Sequence, residues 1–144
     1  MTATIEQNKA IVRRFNKEII EEGNPQSFQE IVDPAFVNHT AAKGMDKGPA
    51  GLIYTFENIL RPAFSDLKVT IYEQVGEGDK VTTRKTISGI HTGTFMGVPA
   101  THQPVAIHVM DMVTIKDGKY YEHWGVNTMM ALAAELKTLH TDNK

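Results

Sequence analysis

The run Val105-Ala106-Ile107-His108-Val109-Met110-Asp111-Met112-Val113-Thr114-Ile115 constrains this chain more than any other segment. Val105, Ile107, Val109, Val113 and Ile115 recur with a period of two, the repeat of a β-strand that buries one face. Asp111 falls on that same face, among β-branched apolar residues. A carboxylate in such a place is costly unless its pKa rises or a specific partner holds it. Either arrangement makes Asp111 a candidate acid or base lining a pocket. The alternative is a structural carboxylate, bonded to a turn or to a neighbouring arginine.

The rest of the composition narrows the class. A chain of 144 residues with 41% hydrophobic content suits one domain, residues 1–144, with a sizeable core. A net charge of −2 gives no basic footprint for nucleic acid and no basic stripe for a membrane surface. There is no cysteine, so disulfides, thiolate catalysis and cysteine-based zinc sites are excluded. No basic-then-apolar signal opens the chain and no apolar run reaches membrane-spanning length. These features fit a cytoplasmic protein. Only Asp142-Asn143-Lys144 reads as a frayed end.

Helices come first. Ile5, Ile11, Val12, Phe15, Ile19 and Ile20 recur at helical spacing, with Thr4 and Gln7 as a capping box and Gly23 as the stop. Asn24-Pro25 opens a second short helix that ends by Val32, and Phe36 to Thr40 follow as an extended piece or loop. A third helix starts near Pro49, places Leu52, Ile53, Phe56, Ile59 and Leu60 inward, and closes at Arg61-Pro62. Strands follow around Leu67 to Ile71, over Val81 to Ile90, over Val105 to Ile115 and over Lys119 to Asn127, before a helix from Met129 to Leu139. Helices followed by hairpin-linked strands give an α+β fold with N-terminal helices packed on an antiparallel sheet.

The partner of Asp111 on the returning strand depends on the turn at Lys116-Asp117-Gly118-Lys119. A two-residue loop pairs Lys116 with Lys119 and sets Asp111 opposite Trp124. A three-residue loop with a bulge pairs Ile115 with Lys119 and sets Asp111 opposite His123; this sequence leans toward the bulged form. The aromatic neighbour would raise the acid's pKa, whereas the histidine would hold it ionised. His108 lies three residues from Asp111 and so faces away. His91, at a strand end beside a Gly-rich connector, is a candidate pocket residue or a turn histidine. The pattern around His39 reads as a surface histidine. Phe36, Phe56 and Met96 join His123 and Trp124 as candidates for contact with a ligand, although core filling is the commoner use of methionine. Arg84 and Glu122 are expected to pair across the sheet. No metal-binding, phosphate-loop or nucleophile-elbow motif is present.

At Phe36-Val37-Asn38-His39, Gly89-Ile90-His91-Thr92-Gly93-Thr94-Phe95-Met96-Gly97-Val98-Pro99, Val109-Met110-Asp111-Met112 and Asp117 to Trp124, the sequence resembles the SnoaL-like polyketide cyclases, or ester cyclases. That family belongs to the nuclear-transport-factor-2-like superfamily, with a cystatin-like α+β cone whose helices pack on a curved antiparallel sheet. The resemblance implies that Asp111 is the acid/base of an intramolecular aldol condensation, with no metal or organic cofactor. It implies that His39 and His91 line the pocket and serve beside Asp111 as catalytic residues that position the carbonyl oxygen or stabilise charge, and that homodimers or homotetramers form through the sheet. The segment Met110-Asp111-Met112-Val113 also resembles the oxyanion-hole aspartate of ketosteroid isomerases, but the first helix has no tyrosine and the base position offers Asn38-His39. The expected activity is cofactor-free acid/base chemistry on a small hydrophobic carbonyl compound or polyketide-like ester. The competing readings are a non-catalytic small-molecule binding module and a dehydratase or isomerase of the same fold.

Overall fold

The computed structural model describes residues 3–142; of the expected frayed end, Asn143 and Lys144 lie outside it, while Asp142 closes the last helix. The first helix, Ile5–Arg14, begins with the capping box: Gln7 N–H donates to the Thr4 side chain and the Gln7 side chain accepts from Thr4 N–H. It continues as a π-helical turn over Phe15–Glu21 and stops at Gly23, whose φ of 67° is the left-handed conformation that closes a helix. Asn24 caps the second helix, Pro25–Ile31. The third covers Pro49–Tyr54, widens into a π turn over Thr55–Leu60 and ends with Arg61–Ala63. A C-terminal helix spans Met129–Asp142.

Five strands form one sheet: β1 (Val32–Asn38), β2 (Phe64–Glu77), β3 (Lys80–His91), β4 (Pro104–Lys116) and β5 (Lys119–Asn127), in the order β1-β5-β4-β3-β2. β2 to β5 are antiparallel neighbours, as the hairpin pattern implied. Of the segment read as an extended piece or loop, Phe36 to Asn38 complete β1 and His39-Thr40 form a turn; β1 pairs parallel to β5. Pro34 is tolerated there because β1 is an edge, where a missing N–H leaves no ladder partner unsatisfied. Bulges between Ser65 and Lys68, and between Ile71 and Glu73, bend β2.

The inner face of this curved, unclosed sheet carries the core. Val81, Ile87, Val105, Ile107, Val113, Ile115 and Tyr120 pack against Val12, Phe15, Ile19 and Ile20 of the first helix, Phe56 and Leu60 of the third, and Leu132 and Leu136 of the last. Phe15 stacks on Tyr120 at 4.1 Å between ring centroids and meets Phe56 edge-on at 5.9 Å. The outer face is different. Tyr72, Val75, Met110 and Val126 stand exposed there. Concavities of about 260 Å³ and about 460 Å³ flank Met112 and Thr82 on that side.

Candidate active site

Parity along β4 puts Asp111 on the inner face, opposite Thr83 of β3 and Gly125 of β5. Lys85 shares the inner face of β3 with Val81, Thr83 and Ile87, so its ammonium enters the interior beside that carboxylate. Lys85 Nζ lies 3.3 Å from Asp111 Oδ2, with side-chain exposures of 4% and 6%. Lys85 also donates to Asn16 Oδ1 at 2.5 Å, and Asn16 Nδ2 donates to the Val12 carbonyl at 2.8 Å. Asn16 sits at the start of the π turn, on the core-facing side of the first helix between Val12 and Ile19.

The hairpin brings the third member. Asp117 and Gly118, at φ of 52° and 76°, form a two-residue turn that pairs Lys116 with Lys119 and Ile115 with Tyr120. Tyr121 is then an extra residue, and pairing resumes as Thr114 with Glu122. Neither expected register therefore holds: Asp111 stands opposite Gly125, not Trp124 or His123. The bulge carries His123 to the inner face opposite Val113, and the ring leans diagonally to Asp111, Nε2 lying 3.4 Å from Oδ2. Its other nitrogen, Nδ1, is 2.9 Å from Asn38 Oδ1. That oxygen also accepts from Thr40 N–H at 3.2 Å, so Nδ1 is the donor in the pair.

Burial alone pushes the Asp111 carboxyl up; the charge of Lys85 and the hydrogen bond and charge of His123 outweigh it and hold the group below the usual carboxylate range. Asp111 is thus held ionised and clamped through Oδ2, while Oδ1 is buried with no hydrogen-bond partner among the described residues. Burial first, and the Asp111 charge second, push the Tyr120 hydroxyl well up, which keeps it protonated. His123, with 21% of its side chain exposed, is the most open of the three ionisable partners.

Other expected site residues lie elsewhere. His39 follows Asn38, so strand alternation turns it to the outer face. There its Nε2 meets Glu122 at 2.9 Å and its ring stacks on Trp124 at 4.7 Å. Trp124 stands opposite Met112 on that same face. His91 shares the inner parity but lies eight residues from Thr83 along β3, roughly 26 Å at strand rise. It is fully buried, and its Nδ1 accepts from Thr101 N–H at 3.2 Å. Burial pulls its imidazole below the ordinary value; the Val98 and Gly93 carbonyls oppose that shift and His102 adds to it. Phe36 is a core residue two positions before Asn38 on the same face, and Phe56 is core as well. Met96 is exposed in the turn closed by the Phe95–Val98 bridge, away from Asp111. Arg84 pairs with Glu73 at 2.8 Å rather than with Glu122, because β2 and not β5 borders that side of β3. Sequence reading missed Lys85, Asn16, Asn38 and Gly125. Lys85 carried the same signal as Asp111, a charge on the apolar parity of a strand.

Helices covering one face of a curved sheet, with a carboxylate on the inner face, place the chain in the ketosteroid-isomerase-like fold. A protein of that fold from Catenulispora acidiphila, solved with trimethylamine, superposes with a TM-score of 0.59 at 17% identity, over 81% of this chain and 83% of that one. The profile of the SnoaL-like polyketide cyclases matches residues 10–136, and the chain belongs to that family. AclR from Streptomyces galilaeus is similar, with 27% identity and a TM-score of 0.79 over 94% of this chain and 98% of that one. IdmH from Streptomyces antibioticus is 26% identical, with a TM-score of 0.77 over 90% and 98%. No curated protein matches the chain. Among the described residues, no helix is long and apolar enough to cross a membrane.

Proposed function

We propose that this protein catalyses cofactor-free acid–base chemistry on a small carbonyl compound, of the kind that closes a ring in a polyketide-like ester. The observation that carries the reading is the state of Asp111: Oδ2 is fixed by Lys85 and His123, while Oδ1 keeps free lone pairs in the interior. The family name supports the reaction class. So does the provisional name of IdmH as a polyketide cyclase.

In this reading Asp111 takes a proton from the carbon beside a carbonyl. The C–H electrons move onto the carbonyl oxygen as an enolate. The enolate carbon then attacks a second carbonyl of the same molecule, a C–C bond forms, and the new alkoxide recovers the proton from the Asp111–His123 pair. Lys85 places a positive charge beside the developing negative charge. Asn38 orients the His123 ring. General acid–base action of this sort contributes on the order of 10²–10⁴-fold. Deuterium uptake beside the carbonyl of a small keto ester, followed by NMR in heavy water, provides the test. Asp111→Asn should abolish enzyme-dependent uptake while the chain stays folded, since Asn keeps the shape and an acceptor for Lys85. Undiminished uptake in that variant sinks the proposal.

A second reading has its own support. Asp111 Oδ1 is closed off from solvent, and Lys85 neutralises the carboxylate, as in a structural ion pair within a binding module. Under that reading the wild-type chain gives no enzyme-dependent uptake, and Asp111→Asn changes stability alone.

A further inference from the structure

We propose that Gly125 is a positioning residue of this site: the space left by its missing side chain is the slot in which the His123 ring lies against Asp111. The proposal rests on the reading of Asp111 and His123 as the proton-transferring pair. His123 is paired with Val113, two positions from Asp111, so its ring reaches the carboxylate only by crossing position 125. A Cβ at Gly125 would lie 2.8 Å from His123 Cε1, 3.1 Å from His123 Nε2 and 3.3 Å from Asp111 Cβ. The first distance is shorter than carbon atoms tolerate, and every residue except glycine brings that atom.

The geometry also says what gives way. The Gly125 backbone is tied by its N–H to Thr40 Oγ1 at 2.9 Å and sits in the ladder opposite Asp111. The His123 ring is the end of a two-torsion side chain of which 21% is exposed, so it is the partner free to turn. Gly125 does not occupy the left-handed region, so alanine fits its backbone without strain. Gly125→Ala should therefore leave the fold intact and expel the ring from Asp111, with Asn38 left as its remaining neighbour.

Two measurements test this. In NMR spectra of the wild-type chain, the His123 Hε1 proton should show a through-space contact to the Asp111 β protons; in Gly125→Ala that contact should vanish while the dispersed amide spectrum persists. In the deuterium-uptake assay Gly125→Ala should slow exchange by about the factor seen for His123→Gln, and the double variant should be no slower than His123→Gln alone. A ring contact unchanged by alanine overturns the proposal, as does a double variant whose loss is the product of the two single losses. If Gly125→Ala does not fold, Gly125→Ala/His123→Ala decides: recovered folding supports the slot, and continued failure overturns it. The NMR contact needs no turnover, so an active Asp111→Asn would remove the catalytic reading without deciding the slot.

Discussion

Lys85 is the residue on which the charge state of the interior turns. With it in place, the folded chain holds Asp111 below its ordinary pKa. The stabilisation from that carboxylate is complete above the unfolded value, about pH 4, and is lost as pH falls through the folded value. Wild-type stability, measured by urea unfolding, should therefore drop below about pH 4 by more than that of Asp111→Asn. Equal losses in the two proteins would show that the pair contributes nothing. Lys85→Met works the other way. With only His123 left beside the carboxylate, burial weighs more heavily against its charged form, so the variant should lose up to about 3–5 kcal/mol at neutral pH, the cost of a buried charge that loses a partner. Part of that loss should return as pH falls toward 4. Both charges could be read from the chain by the same rule, yet Asp111 stood out and Lys85 did not. Asp111 interrupts a run of valine and isoleucine. Lys85 lies in Thr82-Thr83-Arg84-Lys85-Thr86, where polar residues occupy both parities and hide which face is buried.

The β4–β5 hairpin decides which side chains meet. Its two-residue turn alone would have set Asp111 opposite Trp124; the extra Tyr121 shifts all later pairs by one and turns His123 inward. Deleting Tyr121 removes the bulge but leaves Glu122 and His123 on their present faces, because the deletion and the bulge shift the ladder equally. The deletion variant should keep the His123–Asp111 contact, read as the same NMR signal between ring and β protons. Its loss would mean that the bulge aims the ring and does not merely set the parity. Long alternating strands, capped helix starts and the Gly23 stop were all legible because their causes are local. The bulge was not, since nothing at Lys119-Tyr120-Tyr121-Glu122 marks which residue is extra. The parallel strand β1 was not legible either: Asp33-Pro34 reads as a break, and its partner lies far along the chain. For the same reason the family pattern points to His39, which lies on the outer face, while its neighbour Asn38 faces the site.

At the scale of the molecule, the candidate site joins the first helix, the edge strand and the centre of the sheet. Asn16, Asn38, Lys85, Asp111 and His123 come from four strands and a helix, and the bonds from Lys85 to Asn16 and from His123 to Asn38 span wide stretches of sequence. The bond from His123 to Asn38 spans 85 residues. Contacts of that separation form after nearer ones, because closing a longer loop costs more chain entropy. The hairpins β2–β3, β3–β4 and β4–β5 can assemble before β1 docks on β5. Asn38→Ala should then raise the unfolding rate in stopped-flow chevrons and leave the refolding rate nearly unchanged, a φ-value near zero. A refolding rate slowed in proportion to the lost stability would place β1 docking early instead. Parallel docking of one short edge strand thus has a consequence in time as well as in space. In that order of assembly, the buried ions meet in a sheet still open at one side, and the imidazole is pinned only when the last strand arrives.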